Sequence, residues 1–143
     1  MCELKDIFYY LVEDLTFSSD LVKDSYNFLV RNNRFRIAEH SLRVAQKAKI
    51  LARQYGADEN LAEVAGLLHD IGGVYTNDKR VEICNILKLN ILPEEYALPL
   101  ILHQKISVVM AQKIFNIHSC EILSAIGCHT TLKAGASSHL EEI

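Results

Sequence analysis

Five histidine and aspartate residues have the types and the order expected of a metal site. His69 and Asp70 stand side by side at the end of the apolar run AGLLHDI, and His40, His103 and His129 lie in three other segments. Neutral imidazoles bind first-row transition metals, and a carboxylate has two oxygens that can bridge two ions. Three imidazoles and a carboxylate buried together are costly without a compensating charge, which a divalent cation would supply.

Asp70 is the natural bridge between two ions in such a set. Two metals that share a carboxylate can also share a water, lower its pKa towards neutrality and direct the resulting bridging hydroxide at a phosphorus atom. Neighbouring residues on one helix point about 100° apart, so His69 and Asp70 can approach a metal cluster from adjacent directions. The expected chemistry is hydrolysis of a phosphate ester or phosphoanhydride, with Asp70 as the catalytic residue.

Each of these residues taken alone also has a purely structural interpretation. A single inward histidine is more often a core residue that is hydrogen-bonded to a backbone carbonyl. Asp70 alone could end a helix or pair with a cation, so it is the whole set that favours a metal. Two further histidines are expected on the surface, because His118 precedes the helix cap Ser119 and His139 lies among the last few residues.

The segments that carry the five residues are predicted to be helices. The chain contains only 6 Gly and 2 Pro, and its apolar residues recur at helical spacing without sustained alternation. We expect an all-α fold with helices over roughly 3–14, 19–32, 35–55, 59–71, 77–89, 94–115 and 120–131. A break is expected near Pro99, and Asp58, Asn77, Pro93 and Ser119 mark helix starts.

Helical spacing places the histidines on inward faces of these helices. His40 lies beside the apolar stripe of the third helix, so it is expected to point inward. That stripe consists of Ile37, Ser41, Val44, Ala48, Leu51 and Tyr55. His103 shares a face with Met110, and His129 shares one with Ile126. Four helices therefore aim a candidate ligand at the core.

Composition limits the number of domains and the classes of partner. The 143 residues, 50% of them hydrophobic, are enough for one globular domain with a real core. The net charge of −3 and the scattered basic residues indicate neither a nucleic-acid polymer nor a membrane surface as partner. The cysteines lack C-x-x-C spacing, and the chain shows neither a signal segment nor a spanning apolar run. We expect a cytoplasmic protein whose cysteines are reduced. The sequence is compatible with a homodimer.

The order of the five residues resembles the HD-domain superfamily of metal-dependent phosphohydrolases. Within it, the chain is similar to the YqeK family, the symmetrical diadenosine-tetraphosphate hydrolases, from about residue 35 to the end. The matching stretches are AEHSLRVA, AGLLHDI, NDKR, ILHQKIS and SAIGCHTTLKAGAS. The resemblance implies a compact all-α HD-domain bundle that cleaves a dinucleoside tetraphosphate into two nucleoside diphosphates. It also implies one or two metal ions, most often iron, with Mn, Zn and Co as alternatives.

The resemblance also implies roles for individual residues. His40 and His69 would bind one metal, His103 and His129 would bind the second, and Asp70 would bridge the two. Cations and hydroxyl groups near these ligands are candidates to neutralise the substrate phosphates. They are Arg36, Lys79, Arg80, Thr130, Thr131 and Lys133. Lys79 and Arg80 fit a solvated helix face equally well.

The sequence departs from the family pattern at two places. Many members carry a Lys or another polar residue shortly after the HD pair, where this chain has Gly72 and Gly73. The last metal ligand of the superfamily is an Asp in a helix beyond LKAGAS. Here a capping-box pattern at Ser138 and Glu141 predicts a helix that would be cut short at residue 143. We therefore expect either that residues of the natural protein are absent from this chain or that the protein has lost this ligand.

One domain over residues 1–143 is therefore expected, with N-terminal helices over 1–34 and the metal-site core over 35–143. Two classes of function are open. The first is a phosphohydrolase that acts on dinucleoside tetraphosphates or, as the second choice, on nucleoside monophosphates. The other is a nucleotide-binding or metal-binding HD module with weak catalysis or none.

Overall fold

Helices form the regular structure of residues 7–129, the part of the chain that the computed structural model describes. The α-helices are α1 (Tyr9–Val12), α2 (Leu21–Arg31), α3 (Phe35–Tyr55), α4 (Glu59–Leu68), α5 (Asn77–Ile86), α6 (Pro93–Ala97), α7 (Leu102–Lys113) and α8 (Cys120–Gly127). Two 3-10 turns, Ile71–Val74 and Pro99–Ile101, precede α5 and α7. This part of the chain contains no strand, so the all-α prediction is confirmed. None of these helices is long and apolar enough to cross a membrane.

The helix boundaries follow local chemistry that the sequence announces. The Asp58 carboxylate accepts the first free N–H groups of α4, and the Ser119 hydroxyl caps α8 in the same way. Pro99 has no N–H to continue a helix, and the predicted helix over 94–115 is accordingly divided into α6, a 3-10 turn and α7. The helix predicted over 59–71 ends at Leu68, and its continuation is the 3-10 turn after Asp70.

The buried stripe of α3 differs from the predicted one. The helix buries four small residues, Ala38, Ser41, Ala45 and Ala52. Tyr55, predicted to be inward, is 65% exposed. The reason is a close contact with α4, where a Cβ on Gly66 would lie 2.6 Å from the Ala45 Cα. Only small side chains fit between helices this close, so the larger residues lie at the flanks of the contact.

Helix α7 lies at the centre of the bundle. It packs on the 3-10 turn after Asp70, on α5 and on α8. Its residues Leu102, Ile106 and Met110 are fully buried, as is Ile126 of α8. Burial of each such side chain stabilises the fold by about 1.5 to 3 kcal/mol. The predicted buried positions of Ile106 and Met110 on α7 and of Ile126 on α8 are therefore confirmed. His103 lies on α7 as predicted, whereas the helix predicted over 120–131 ends at Gly127 and His129 follows it in a turn.

Candidate metal centre

Four histidines surround one carboxylate where α3, α4 and α7 meet the end of α8. The Asp70 Oδ2 lies 3.1 Å from the His69 Nε2 and 3.6 Å from the His40 Nε2. The Asp70 Oδ1 lies 3.0 Å from the His103 Nε2 and 3.2 Å from the His129 Nε2. Each oxygen of the carboxylate thus faces one pair of histidines, and the two resulting triads share Asp70. Within each triad the candidate ligand atoms lie within 4.8 Å of one another.

Backbone carbonyls hold three of the four imidazoles in one tautomer. In each case the Nδ1 contacts the carbonyl oxygen of the residue three positions earlier. The distances are 2.7 Å from His69 to Gly66, 2.6 Å from His103 to Leu100 and 2.6 Å from His129 to Ile126. Because a carbonyl only accepts, the Nδ1 carries the proton and donates it, and the Nε2 of the neutral ring keeps its lone pair. This is the arrangement in which metal-binding histidines are held.

The donor set fits a divalent transition metal. The Nε2 atoms of His103 and His129 lie only 2.8 Å apart. With both Nδ1 atoms protonated, two lone pairs of neutral rings face each other and also face the Asp70 carboxylate. A cation among these atoms removes the repulsion, and imidazole with carboxylate is a ligand set that Fe, Mn, Zn and Co all accept.

Asp70 carries the negative charge that a bridging ligand needs. Burial raises the pKa of this carboxyl group, but when no metal is bound, hydrogen bonds from Nε2-protonated His103, His129 and His69 outweigh the effect. The pKa of Asp70 therefore lies well below its ordinary value, and the group is ionised at neutral pH. An ionised carboxylate offers lone pairs on both oxygens, one towards each histidine pair.

The five residues line one pocket of about 510 Å³. The side chains of His69, His103 and His129 are 11%, 10% and 16% exposed, so they lie in its interior. His40 was predicted to point inward; its Nε2 faces Asp70, but its side chain is 48% exposed. It lies at the mouth of the pocket because the inner face of α3 is occupied by the small residues packed on α4.

Of the described candidates for substrate contact, Arg80 is the one that lines the pocket. Lys79 points away from it: its side chain is 60% exposed, and its Nζ lies 3.5 Å from the Glu82 Oε2. Arg36 is an exposed residue of α3 outside the pocket lining. The remaining candidates lie outside the described residues, as do His139 and the capping-box pattern. Those candidates are Thr130, Thr131 and Lys133.

Sequence reasoning missed the contacts that hold the turn after Asp70 in place. The Gly72 N–H donates to the Ser107 Oγ at 2.8 Å. Arg34 donates from its Nε to the Gly73 carbonyl and from its Nη2 to the Val74 carbonyl, both at 3.1 Å. The available signal was the glycine pair itself, since two glycines after a candidate ligand indicate a close backbone approach. The Ser107 contact holds the backbone beside Asp70 against α7, and the Arg34 contacts hold it against the start of α3.

Comparison with solved structures finds a close match in fold. The crystal structure of a predicted HD superfamily hydrolase involved in NAD metabolism, from Clostridium acetobutylicum, superposes with a TM-score of 0.77 at 30% sequence identity. The match covers 90% of this chain and 66% of that one.

Comparison with curated proteins finds relatives that are longer than this chain. An uncharacterized protein in the pepC 5′ region of Lactococcus lactis subsp. cremoris is 43% identical over 111 residues, which cover 63% of this chain and 56% of the relative. Ribonuclease Y of Campylobacter jejuni subsp. doylei is 48% identical over 56 residues, which cover 34% of this chain and 11% of the enzyme. The chain thus matches little more than half the length of the first relative and a small part of the second.

Comparison with models of protein families identifies the domain that this chain contains. The model of the HD domain matches residues 37–143, a range that contains all four histidines of the cluster and Asp70. The chain therefore belongs to the HD domain family.

Proposed function

We propose that the protein is a metal-dependent phosphohydrolase of the YqeK type, which cleaves dinucleoside tetraphosphates symmetrically into two nucleoside diphosphates. The observation that carries the proposal is the carboxylate of Asp70, which two histidine pairs share, one on each oxygen. Membership of the HD domain family and the likeness to a solved HD superfamily hydrolase support it. The sequence stretches that resemble the YqeK family support the finer assignment.

The two triads would each hold one ion. His40 and His69 would bind the first, His103 and His129 the second, and Asp70 would contact both. A divalent ion there, for which iron is our first choice, would supply Lewis-acid chemistry by polarising phosphoryl oxygens and activating water. The protein's own contribution is orientation, because the carbonyls of the preceding turns keep three Nε2 atoms aimed at one point.

The rest of the pocket has the chemistry of a nucleotide site. Ile37, Leu100 and Ile101 form an apolar wall beside the charged cluster, and Arg80 adds a cation. An apolar wall suits a nucleoside, while a cation and metal ligands suit the phosphate chain attached to it. The solved relative is described as involved in NAD metabolism, and NAD is itself a dinucleotide. The pocket therefore favours a nucleotide substrate over a bare phosphate ester.

The position of the cluster supports the proposal of symmetric cleavage. Most of its ligands lie inside the pocket, and the two bulky nucleosides of a dinucleoside tetraphosphate must lie on either side of it. An inner phosphate would then occupy the cluster, and with the other inner phosphate as the leaving group the middle bridge would be cut. Binding of the remote phosphates and base helps to position the reacting phosphate, so shorter nucleotides are expected to react more slowly.

Diadenosine tetraphosphate incubated with the metal-loaded protein is expected to yield ADP as the sole nucleotide product. The measurement is chromatographic separation of the nucleotides during the first turnovers, with AMP and ATP as standards. Release of AMP plus ATP would place the cut at an outer bridge of the phosphate chain and contradict symmetric cleavage. Absence of turnover with any nucleotide would favour a nucleotide-binding or metal-binding module instead.

A further inference from the structure

Arg80 is a buried cation whose hydrogen bonds are incomplete. It is 8% exposed and lines the pocket together with the five residues of the cluster. Its Nη1 bonds to the Asn77 side chain, whereas its Nε is buried without a hydrogen-bond partner among the described residues. A buried donor without an acceptor costs free energy, so this guanidinium favours a partner that residues 7–129 do not provide.

The charge of Arg80 is also unmatched. Its guanidinium forms no salt bridge with a carboxylate of residues 7–129, although Asp70 is close enough to act on it electrostatically. Burial lowers the pKa of Arg80, and the nearby Arg34 lowers it further. Asp70 already faces four imidazoles and has no oxygen to spare. A buried cation without its own counter-ion is stabilised by an anionic ligand.

Arg34 is a second arginine near the pocket, but its donors are already paired. Its Nε and Nη2 donate to the Gly73 and Val74 carbonyls, so its donors are engaged in holding the turn. Gly73 lines the pocket but contributes no side chain. Among the described residues of the pocket lining, Arg80 is therefore the one Lys or Arg available to a ligand.

We propose that Arg80 binds a phosphate group next to the one that reacts, and thereby selects substrates with a chain of two or more phosphates over monophosphates. The identity of the anion rests on the proposed function, whereas the need for an anion rests on the burial and free Nε of Arg80. A guanidinium offers N–H donors in a planar fork that matches a phosphate, which a lysine ammonium does not reproduce. A nucleoside diphosphate has one phosphate for the cluster and a second for Arg80, which lines the same pocket. A nucleoside monophosphate has only one phosphate to place.

The test compares ADP with AMP as ligands of the metal-loaded protein, by isothermal titration calorimetry. Arg80→Gln is expected to weaken ADP binding by about tenfold to a hundredfold, the effect of losing a charged hydrogen bond, and to change AMP binding by less than about threefold. Arg53→Gln is the matched control, because Arg53 is a 69% exposed residue near the far end of α3 that pairs with Glu59. It is expected to change neither affinity.

Equal weakening of ADP and AMP, or no weakening of ADP, would overturn the assignment of Arg80. Thermal unfolding and metal content of Arg80→Gln verify that the fold and the cluster are intact. If that variant does not fold, Arg80→Lys decides, because it keeps the charge and loses the fork. Several-fold weaker ADP binding with unchanged AMP binding would support the proposal, and unchanged ADP binding would contradict it.

The kinetic counterpart separates this inference from the proposed function. With diadenosine tetraphosphate, Arg80→Gln is expected to raise KM and to leave kcat within about threefold, since the lost contact is made before and during reaction alike. If the wild-type protein does not hydrolyse this substrate but ADP binding still depends on Arg80, the proposed function fails and the anion site stands. If the wild-type protein hydrolyses this substrate but ADP binding does not depend on Arg80, the proposed function stands and the assignment of Arg80 fails.

Discussion

Replacement of Asp70 by Asn is expected to abolish metal binding and to lower hydrolysis by about a thousandfold or more. Asn has nearly the same shape but no charge, and only one of its two terminal atoms accepts hydrogen bonds or binds a metal. Both triads use this one carboxylate, one oxygen each. Loss of the metal removes several kcal/mol of transition-state stabilisation, and each 1.36 kcal/mol lost lowers the rate about tenfold. The measurement is the initial rate at saturating substrate.

His69→Ala and His118→Ala provide the comparison for Asp70→Asn. His69 is a nearly buried member of the cluster, so its loss is expected to remove metal and activity as well. His118 is exposed and, within residues 7–129, bonds only to the Asn116 side chain, at 2.8 Å, so its replacement is expected to be nearly silent. Equal effects of the three replacements would show that the cluster is not the reaction site.

Gly72→Ala is expected to destabilise the fold by about 1 to 3 kcal/mol, the usual cost of overpacking, and to weaken metal binding. A Cβ at Gly72 would lie 2.6 Å from the His103 carbonyl oxygen and 2.9 Å from the Ser107 Oγ. Relief of these contacts requires the turn after Asp70 to move away from α7. Because Asp70 and His103 lie on the two sides of this contact, the same movement separates two ligands. Thermal unfolding and a metal titration measure the two effects.

Gly73→Ala is the matched control for that prediction. There the nearest atom to an added Cβ is the Ile37 Cδ1, at 2.6 Å, the end of a flexible side chain that can rotate away. Gly73→Ala is therefore expected to be the milder of the two replacements in both measurements. A Gly73 variant as unstable as the Gly72 variant would show that the turn tolerates no side chain at all, whatever lies opposite.

Part of the histidine cluster could be predicted from the sequence because helical periodicity indicates which residues face inward. His103 lies three and seven residues before Ile106 and Met110, and both of these are fully buried. His129 lies three residues after the buried Ile126 but beyond the end of α8 at Gly127, so periodicity alone does not place it. What periodicity supplies is the face of each helix, and a family resemblance supplies which faces meet.

The parts that could not be predicted depend on contacts between residues far apart in the chain. Whether Lys79 or Arg80 enters the pocket depends on how α5 packs beside α7, and neighbouring cations on one helix look alike in the sequence. The set of residues buried on α3 depends on the close approach of Gly66 to Ala45, which admits small residues and excludes larger apolar ones. The hydrogen bond from Gly72 to Ser107 joins positions 35 residues apart. Local pattern contains none of this information.

Metal content per chain, measured by elemental analysis on protein purified without chelators, tests the central claim most directly. The claim is that His40 with His69, and His103 with His129, hold metal through their common ligand Asp70. The wild-type protein is predicted to contain a bound first-row transition metal, and Asp70→Asn, purified in parallel, is predicted to contain none. A metal-free wild-type protein, or an Asp70→Asn variant with undiminished metal, would contradict the account.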